Sequence, residues 1–373
     1  GDVVASGEGE GYLRFKLGRV PEPVRQAFQD LAQYTTKWLN LVSDIKDALT
    51  EAIEKVHTDI TRAVAEKWAP IVALTLLRFE SVSGLFQAYA VKDEENAAPQ
   101  ARWFKLHGGF EADIELFASP ILAGPLLNHY LWSRCHGAIL TSATLTALGK
   151  FDRFRSHAGL SPQFNYQSLP SPFDYSSVAE IRVPKVACDP KEVDKHTQAV
   201  TDYVNQNWDL MLGTLVLFSS RKQLEEVFLR LDADVKSHVL AQNQMSKQEL
   251  VRLHKKSVDA GEVSVIFGLA SFAEGIDLPG EYCEHVVITR LPFAVPDQPL
   301  EAALAEWIES QGRNAFMEIS VPDAAIRLTQ ACGRLIRNEQ DKGIISVLDR
   351  RLVSSGYGRR ILDSLPPFRR VIE

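Results

Sequence analysis

Cysteine is scarce and scattered: four in 373 residues (Cys135, Cys188, Cys283 and Cys332), with no CxxC pair. That spacing gives no zinc or iron–sulfur ligand set and no disulfide framework, so free thiols are the plain expectation. A basic excess is also missing. Lys and Arg number 41 against 48 Asp and Glu, a net charge of −7, which excludes a domain that coats nucleic acid by bulk charge. No unbroken run of about 18 apolar residues occurs, so no membrane span is expected. The first eleven residues lack an apolar core and are not a signal peptide; they read as a flexible end, and the start at Gly1 suggests a piece of a longer protein. There is no GxxxxGK[ST] phosphate loop, no DEAH-type acidic box, no HExxH and no nucleophile elbow. What is present is ordinary: 45% hydrophobic, 24% charged, 22 Gly and 18 Pro, enough for about two domains.

Periodicity divides the chain. Val42, Ile45, Leu49, Ile53, Val56, Ile60, Val64 and Trp68 recur at steps of three and four, an apolar stripe on one helix. Pro70 fits the first turn of a second helix running to about Ala90, and two antiparallel helices are expected, followed by a loop over Lys92 to Gln100. After that, short β-branched runs alternate with helical patterns: Gly137–Leu140, Ile181–Val183, Thr214–Phe218, His238–Ala241, Val263–Phe267, His285–Thr289 and Ile344–Leu348. Several are continuously apolar, as in strands buried on both faces of a parallel sheet. Ser220 with Gln223, and Ser246 with Glu249, read as capping boxes that start helices. The expected fold is α/β, a doubly wound parallel sheet, with ligands at the carboxyl ends of its strands.

Four segments carry chemistry. Thr141, Ser142, Ala143 and Thr144 follow the first apolar run; small hydroxyl residues there bind phosphate or simply cap a turn. Ser219, Ser220 and Arg221 combine a helix start with cations, a phosphate site or an ordinary capped helix. Glu274, Gly275 and Asp277 set two carboxylates around a residue without Cβ, in a loop able to hold a ribose hydroxyl or a water while its backbone approaches phosphate. Gln330, Arg334 and Arg337 fall within about 60° on the helix that begins near Pro322, with Gly333 opening the surface beside them. Two guanidiniums without an acid in the same turn suit a phosphate anion. From Val321 to Glu373, 10 Lys and Arg face 6 Asp and Glu, a local excess of positive charge in an acidic chain.

In order, Ser-Ala-Thr, Ala-Ser-Phe-Ala-Glu-Gly-Ile-Asp-Leu-Pro-Gly, Arg-Leu-Pro-Phe (290–293), Gln-Ala-Cys-Gly-Arg-Leu-Ile-Arg and Leu-Asp-Arg-Arg-Leu (348–352) resemble motifs III, V and VI and the flanking sequences of superfamily 2 helicases. They resemble most the XPD/DinG branch, including the DinG and YoaA types. The resemblance covers about residues 130–373. It implies two RecA-like motor domains that clasp ATP and Mg²⁺, with single-stranded or forked DNA across both and 5′-to-3′ movement in DNA repair or replication. By position, Arg337, Arg334 and Gln330 would face the γ-phosphate, with Arg337 as arginine finger. Glu274, Gly275, Asp277 and Gly333 would lie on the ATP side, Ser219, Ser220 and Arg221 on the DNA, and Thr141 to Thr144 would couple the two.

The resemblance also implies an organisation: residues 1–11 a flexible end, 12–100 a helical Arch-like segment, 101–150 the returning end and last strand of motor domain 1, and 151–373 RecA-like motor domain 2. The phosphate loop, the acidic box and the iron–sulfur cysteines of such proteins have no counterpart here. The expectation is therefore a carboxyl-terminal part, inactive alone, without a cofactor of its own, from a bacterial cytoplasmic protein that works at the nucleoid and is completed by a missing amino-terminal motor half. A non-catalytic RecA-like module that binds DNA or protein is the alternative.

Overall fold

The structure, a computed structural model, describes residues 3–6, 12–55, 59–94, 97–107, 113–242, 244–269, 272, 275–294 and 298–373. The chain forms two compact units, Gly1–Ala123 with Val295–Ala315, and Gly124–Ala294 with Phe316–Glu373.

The first unit combines a four-stranded sheet with a helical hairpin. Strands β1 (Val3–Ser6), β2 (Tyr12–Phe15), β3 (Gln100–His107) and β4 (Asp113–Pro120) pair antiparallel in that order. Helix α1 (Glu22–Glu54) returns as α2 (Arg62–Ala90), and Leu49 and Ala52 meet Ala65 at the far end of the hairpin. At the near end Phe28, Phe86 and Tyr89 pack with Phe15 and Phe104 of the sheet. Arg102 fixes this junction. It is buried, donates to the carbonyls of Ala88 (2.6 Å) and Gly18 (2.7 Å), and forks onto Asp93 at 2.7 and 3.1 Å.

Several expectations change in this unit. The helix break falls near Thr61, and Pro70 lies inside α2 rather than at its first turn; a helix packed along its length tolerates one missing main-chain bond. Val56 lies outside the described residues. Residues 3–6 of the expected flexible end form a strand. Residues 12–100 are not wholly helical, and 101–120 return as antiparallel strands, because β2 and β4 satisfy the main-chain groups of β3 from both sides. The helix Pro299–Ser310 belongs here too, with Ala303 buried against Ala101 and Ile121. By length and by a mean hydropathy of 1.4 over its most apolar window, α2 would also suffice to cross a membrane, although its sequence has no unbroken apolar run. Here it packs along α1. A row on α1, Leu31, Tyr34, Trp38, Leu41 and Ile45, stays exposed.

The second unit is the parallel α/β domain. Strands β5 (Ala179–Val183), β6 (Gly213–Phe218), β7 (Val239–Ala241), β8 (Ser264–Leu269), β9 (His285–Ile288), β10 (Gly343–Val347) and β11 (Arg369–Ile372) form one sheet in the order β11-β5-β10-β9-β6-β8-β7, parallel throughout. Side chains alternate between its faces. Leu215, Leu217, Ile266, Val286, Ile288, Ile345 and Val347 enter one apolar layer, while Val216, Phe218, Val265, Phe267 and Val287 enter the other. Both faces being covered is why these strands read as unbroken apolar runs. Each fully buried side chain contributes about 1.5–3 kcal/mol.

One expected strand is absent. Gly137–Leu140 has no strand beside it among the described residues, and Ile139 is 96% exposed. A β-branched run becomes a strand only where a neighbour takes its main-chain groups. The expected last strand of motor domain 1 is therefore not formed.

Candidate functional site

The helix Val321–Cys332 buries Val321, Ala324, Ala325, Leu328 and Cys332 in the first apolar layer. It stops earlier than its periodicity suggests. Gly333 donates to the Thr329 carbonyl (2.9 Å) and Leu335 to that of Cys332 (3.1 Å), closing a tight turn. Leu335 and Ile336 are buried, so the apolar period continues into the turn although the helix does not. Asp341, also buried, accepts from the backbone N–H groups of Arg337 (2.7 Å) and Asn338 (3.0 Å) and leads the chain into β10. Arg334 and Arg337 therefore leave a turn at the amino end of β10, not a helix face and not a carboxyl strand end. Gln330 is exposed on the last helical turn.

The loop 275–279 meets them. Gly275 has φ +74°, a left-handed conformation that favours glycine. Ile276 and Leu278 are buried, which turns the Ile276 carbonyl and the Asp277 carboxylate outward. Arg337 donates to that carbonyl at 3.0 Å and Arg334 at 3.3 Å, and Arg337 is ion-paired to Asp277 at 2.9 Å. Two residue sets about 60 positions apart are thus brought together. No acid in the same turn is expected beside the guanidiniums, and none is there; the acid partner of Arg337, which is 28% exposed, comes from a distant loop. Asp277, however, is 72% exposed, and a pair so open to water holds with only about 0–1 kcal/mol. Arg337 Nε, by contrast, is buried and has no hydrogen-bond partner among the described residues. The exposed carboxylate of Asp277 is therefore the contact that another anion can replace, while Nε stays shielded in the fold. Gly333 has an ordinary φ, and a Cβ there would meet only normal contacts. The fold itself does not require glycine at that position. Glu274 lies outside the described residues.

The other expected residues lie elsewhere. Ser219, Ser220 and Arg221 follow β6 at its carboxyl end, and Ser220 caps the helix Arg221–Arg230 by accepting from the Gln223 N–H (3.5 Å). Only half of the capping box forms, because the Gln223 side chain turns inward to His196. Likewise Ser246 accepts from the Glu249 N–H, while the Glu249 carboxylate pairs with Arg252. Thr141, Ser142 and Ala143 are exposed, and Ser142 bonds to Thr144. The structure does not bring them to the arginines.

A buried polar chain leaves little local pattern in the sequence. His196 Nε2 donates to the Thr289 carbonyl (2.8 Å), since a carbonyl can only accept, and Nδ1 therefore accepts from Gln223 Nε2 (2.8 Å). Burial lowers the pKa of His196, which keeps this tautomer neutral. Asp349, fully buried after β10, accepts from the Leu291 N–H (2.9 Å) and from the guanidinium of Arg351. The loops after β6, β9 and β10 are locked together by these bonds. Among local signals, only Leu-Asp-Arg-Arg-Leu pointed there.

The cysteines do not fit a cluster. Cys283 and Cys332 are buried in the core, and burial pushes both thiols up to about 12; Cys135 is exposed and Cys188 half-buried. Among the described residues no three His, Cys, Asp or Glu side chains are grouped to hold a metal ion.

Residues 209–368 match the helicase C-terminal domain family. The chain is 36% identical over 369 residues to the ATP-dependent DNA helicase DinG of Photobacterium profundum, covering 98% of this chain and 53% of that protein. The chain belongs to the DinG/XPD-type family of superfamily 2 helicases, and corresponds to its carboxyl-terminal portion. Against DinG of Escherichia coli K12 the identity is 30% over 373 residues, covering 96% of this chain and 50% of that protein. The chain thus spans about half the length of the curated relatives it matches. Two solved XPD structures share the fold, at TM-scores of 0.53 and 0.51 with 18% and 15% identity; each covers 87% of this chain, and the chain covers 61% and 64% of them.

Proposed function

We propose that the whole protein is an ATP-dependent 5′-to-3′ DNA helicase of DNA repair or replication in the bacterial cytoplasm, and that this chain supplies the arginine side of its ATP site. The observation that carries this reading is the convergence of Arg334 and Arg337 on the loop 275–278, with a weak, exposed ion pair to Asp277. An arriving γ-phosphate competes easily with Asp277 for Arg337. Arg337 then stabilises charge that develops during transfer, as an arginine finger does, and Arg334 and Gln330 orient the same group. Gly275 lets the backbone approach, Glu274 and Asp277 register the nucleotide, and Gly333 leaves room beside the arginines.

Ser219, Ser220 and Arg221 offer a hydroxyl and a cation at a helix start to a DNA phosphate, and Thr141 to Thr144 link that grip to hydrolysis. In this reading residues from about 12 to 120 are the Arch-like segment with its sheet, the stretch to about 150 returns from motor domain 1, and the parallel α/β domain is motor domain 2. The phosphate loop, the carboxylates for Mg²⁺ and any iron–sulfur cluster come from residues outside this chain, in the other motor half. The test is ATP-dependent unwinding by the whole protein of duplexes with a 5′ or a 3′ single-stranded tail. Unwinding from the 5′ tail is expected. DNA binding without any ATP-dependent unwinding favours a non-catalytic module instead.

A further inference from the structure

β10, β9 and β6 lie side by side in the sheet. The loops at their carboxyl ends carry Asp349–Arg351, Thr289–Phe293 and Ser219–Arg221. An aromatic cluster without a role in the site above surrounds the middle loop. The rings of Phe293 and Phe316 lie 5.3 Å apart at 38°, and Tyr357 meets them edge-on at 5.7 and 5.2 Å. The Arg351 guanidinium covers Phe293 at 5.5 Å. Its charge is already balanced, because its Nε and Nη2 both donate to buried Asp349, so it acts as a flat support rather than as a free cation. Phe293 and Tyr357 belong to the rim of the core. Phe316 does not: it stands at the outer end of the cluster and is 40% exposed. Tyr357 lies in the first turn of the last helix, Gly356–Ser364, and exposed Arg360 is three residues on, along the same face.

A ring braced from behind by two aromatics, with cations nearby, has the makings of a sequence-tolerant stacking site for bases, since every base offers a π-face. β6 and β10 are two strand spacings apart, about 10 Å. One nucleic-acid strand along this edge is long enough to span the loops that follow these strands. We propose that Phe316, backed by Phe293 and Tyr357, stacks a nucleobase of single-stranded DNA whose phosphates pass Ser219–Arg221. The proposal rests on the helicase reading above.

The experiment measures affinity of the whole protein, by fluorescence anisotropy, for a labelled oligo-dT and for an abasic oligonucleotide of equal length. Phe316→Ala is expected to weaken oligo-dT binding by about 5- to 100-fold and to leave the abasic affinity unchanged, with Phe316→Trp restoring the first. Arg221→Ala is expected to weaken both probes alike. If Phe316→Ala leaves oligo-dT affinity intact, or weakens both probes equally, the stacking site is overturned while the helicase reading stands. If the unaltered protein binds neither probe, that reading falls, and the stacking site with it.

Discussion

Arg337 is held by one carbonyl and one exposed carboxylate, and the second is the contact a phosphate would replace. Arg337→Ala in the whole protein is expected to reduce single-strand-stimulated ATP turnover by about 10³-fold or more, with DNA affinity within two-fold; steady-state hydrolysis and anisotropy check the two halves. His285 gives a pH prediction. It is fully buried with Nε2 on Ser346, and burial, with Arg182 adding to it, lowers its pKa to about 4. The unfolded chain, with an ordinary histidine near 6.5, binds the proton first. Stability is therefore full above about pH 6.5 and falls as pH drops toward 4, by roughly 3 kcal/mol from this group. Urea midpoints between pH 7 and 4.5 are expected to show the decline, and His285→Gln to flatten its share.

At the scale of elements, the two site glycines separate a backbone need from a need for open space. Gly275→Ala forces a side chain into φ +74° and is expected to destabilise by about 1 kcal/mol. Gly333→Ala is expected to leave the melting temperature within a degree or two while lowering ATP turnover, since only the approach to the arginines is filled. In the first unit, Arg102→Ala strands Asp93 and frees two carbonyls; a loss of about 3–5 kcal/mol is expected by chemical denaturation.

Which elements could be read beforehand follows from their surroundings. Strands β5 to β10 were legible because both faces are buried, so their composition alone marks them. The antiparallel strands β2 to β4 mix exposed and buried positions, and Trp103 and Arg102 side by side give no apolar run. Gly137–Leu140 failed for the opposite reason: its composition is right and its neighbours are absent. The end of the helix at Cys332 was hidden because Leu335 and Ile336 keep the apolar spacing through a turn. The residue types of the arginine site were legible, but the pairing of Arg337 with Asp277 and the buried His196 chain depend on tertiary contacts that no local pattern carries.

For the whole molecule, the chain brings Arg334 and Arg337 together on the loop 275–278, its sequence holds no phosphate loop, and it spans about half of its curated relatives. Its net charge of −7 leaves DNA affinity to a narrow track, so binding is expected to weaken with salt as a few phosphate contacts would; a plot of log affinity against log salt reads that number directly. The central claim is that this chain holds one side of an ATP site completed by the rest of the protein. It is tested most directly by ATP turnover with single-stranded DNA present, compared between the 373-residue chain and the whole protein. The account predicts turnover by the whole protein and none by the chain. Robust hydrolysis by the purified chain alone would contradict it.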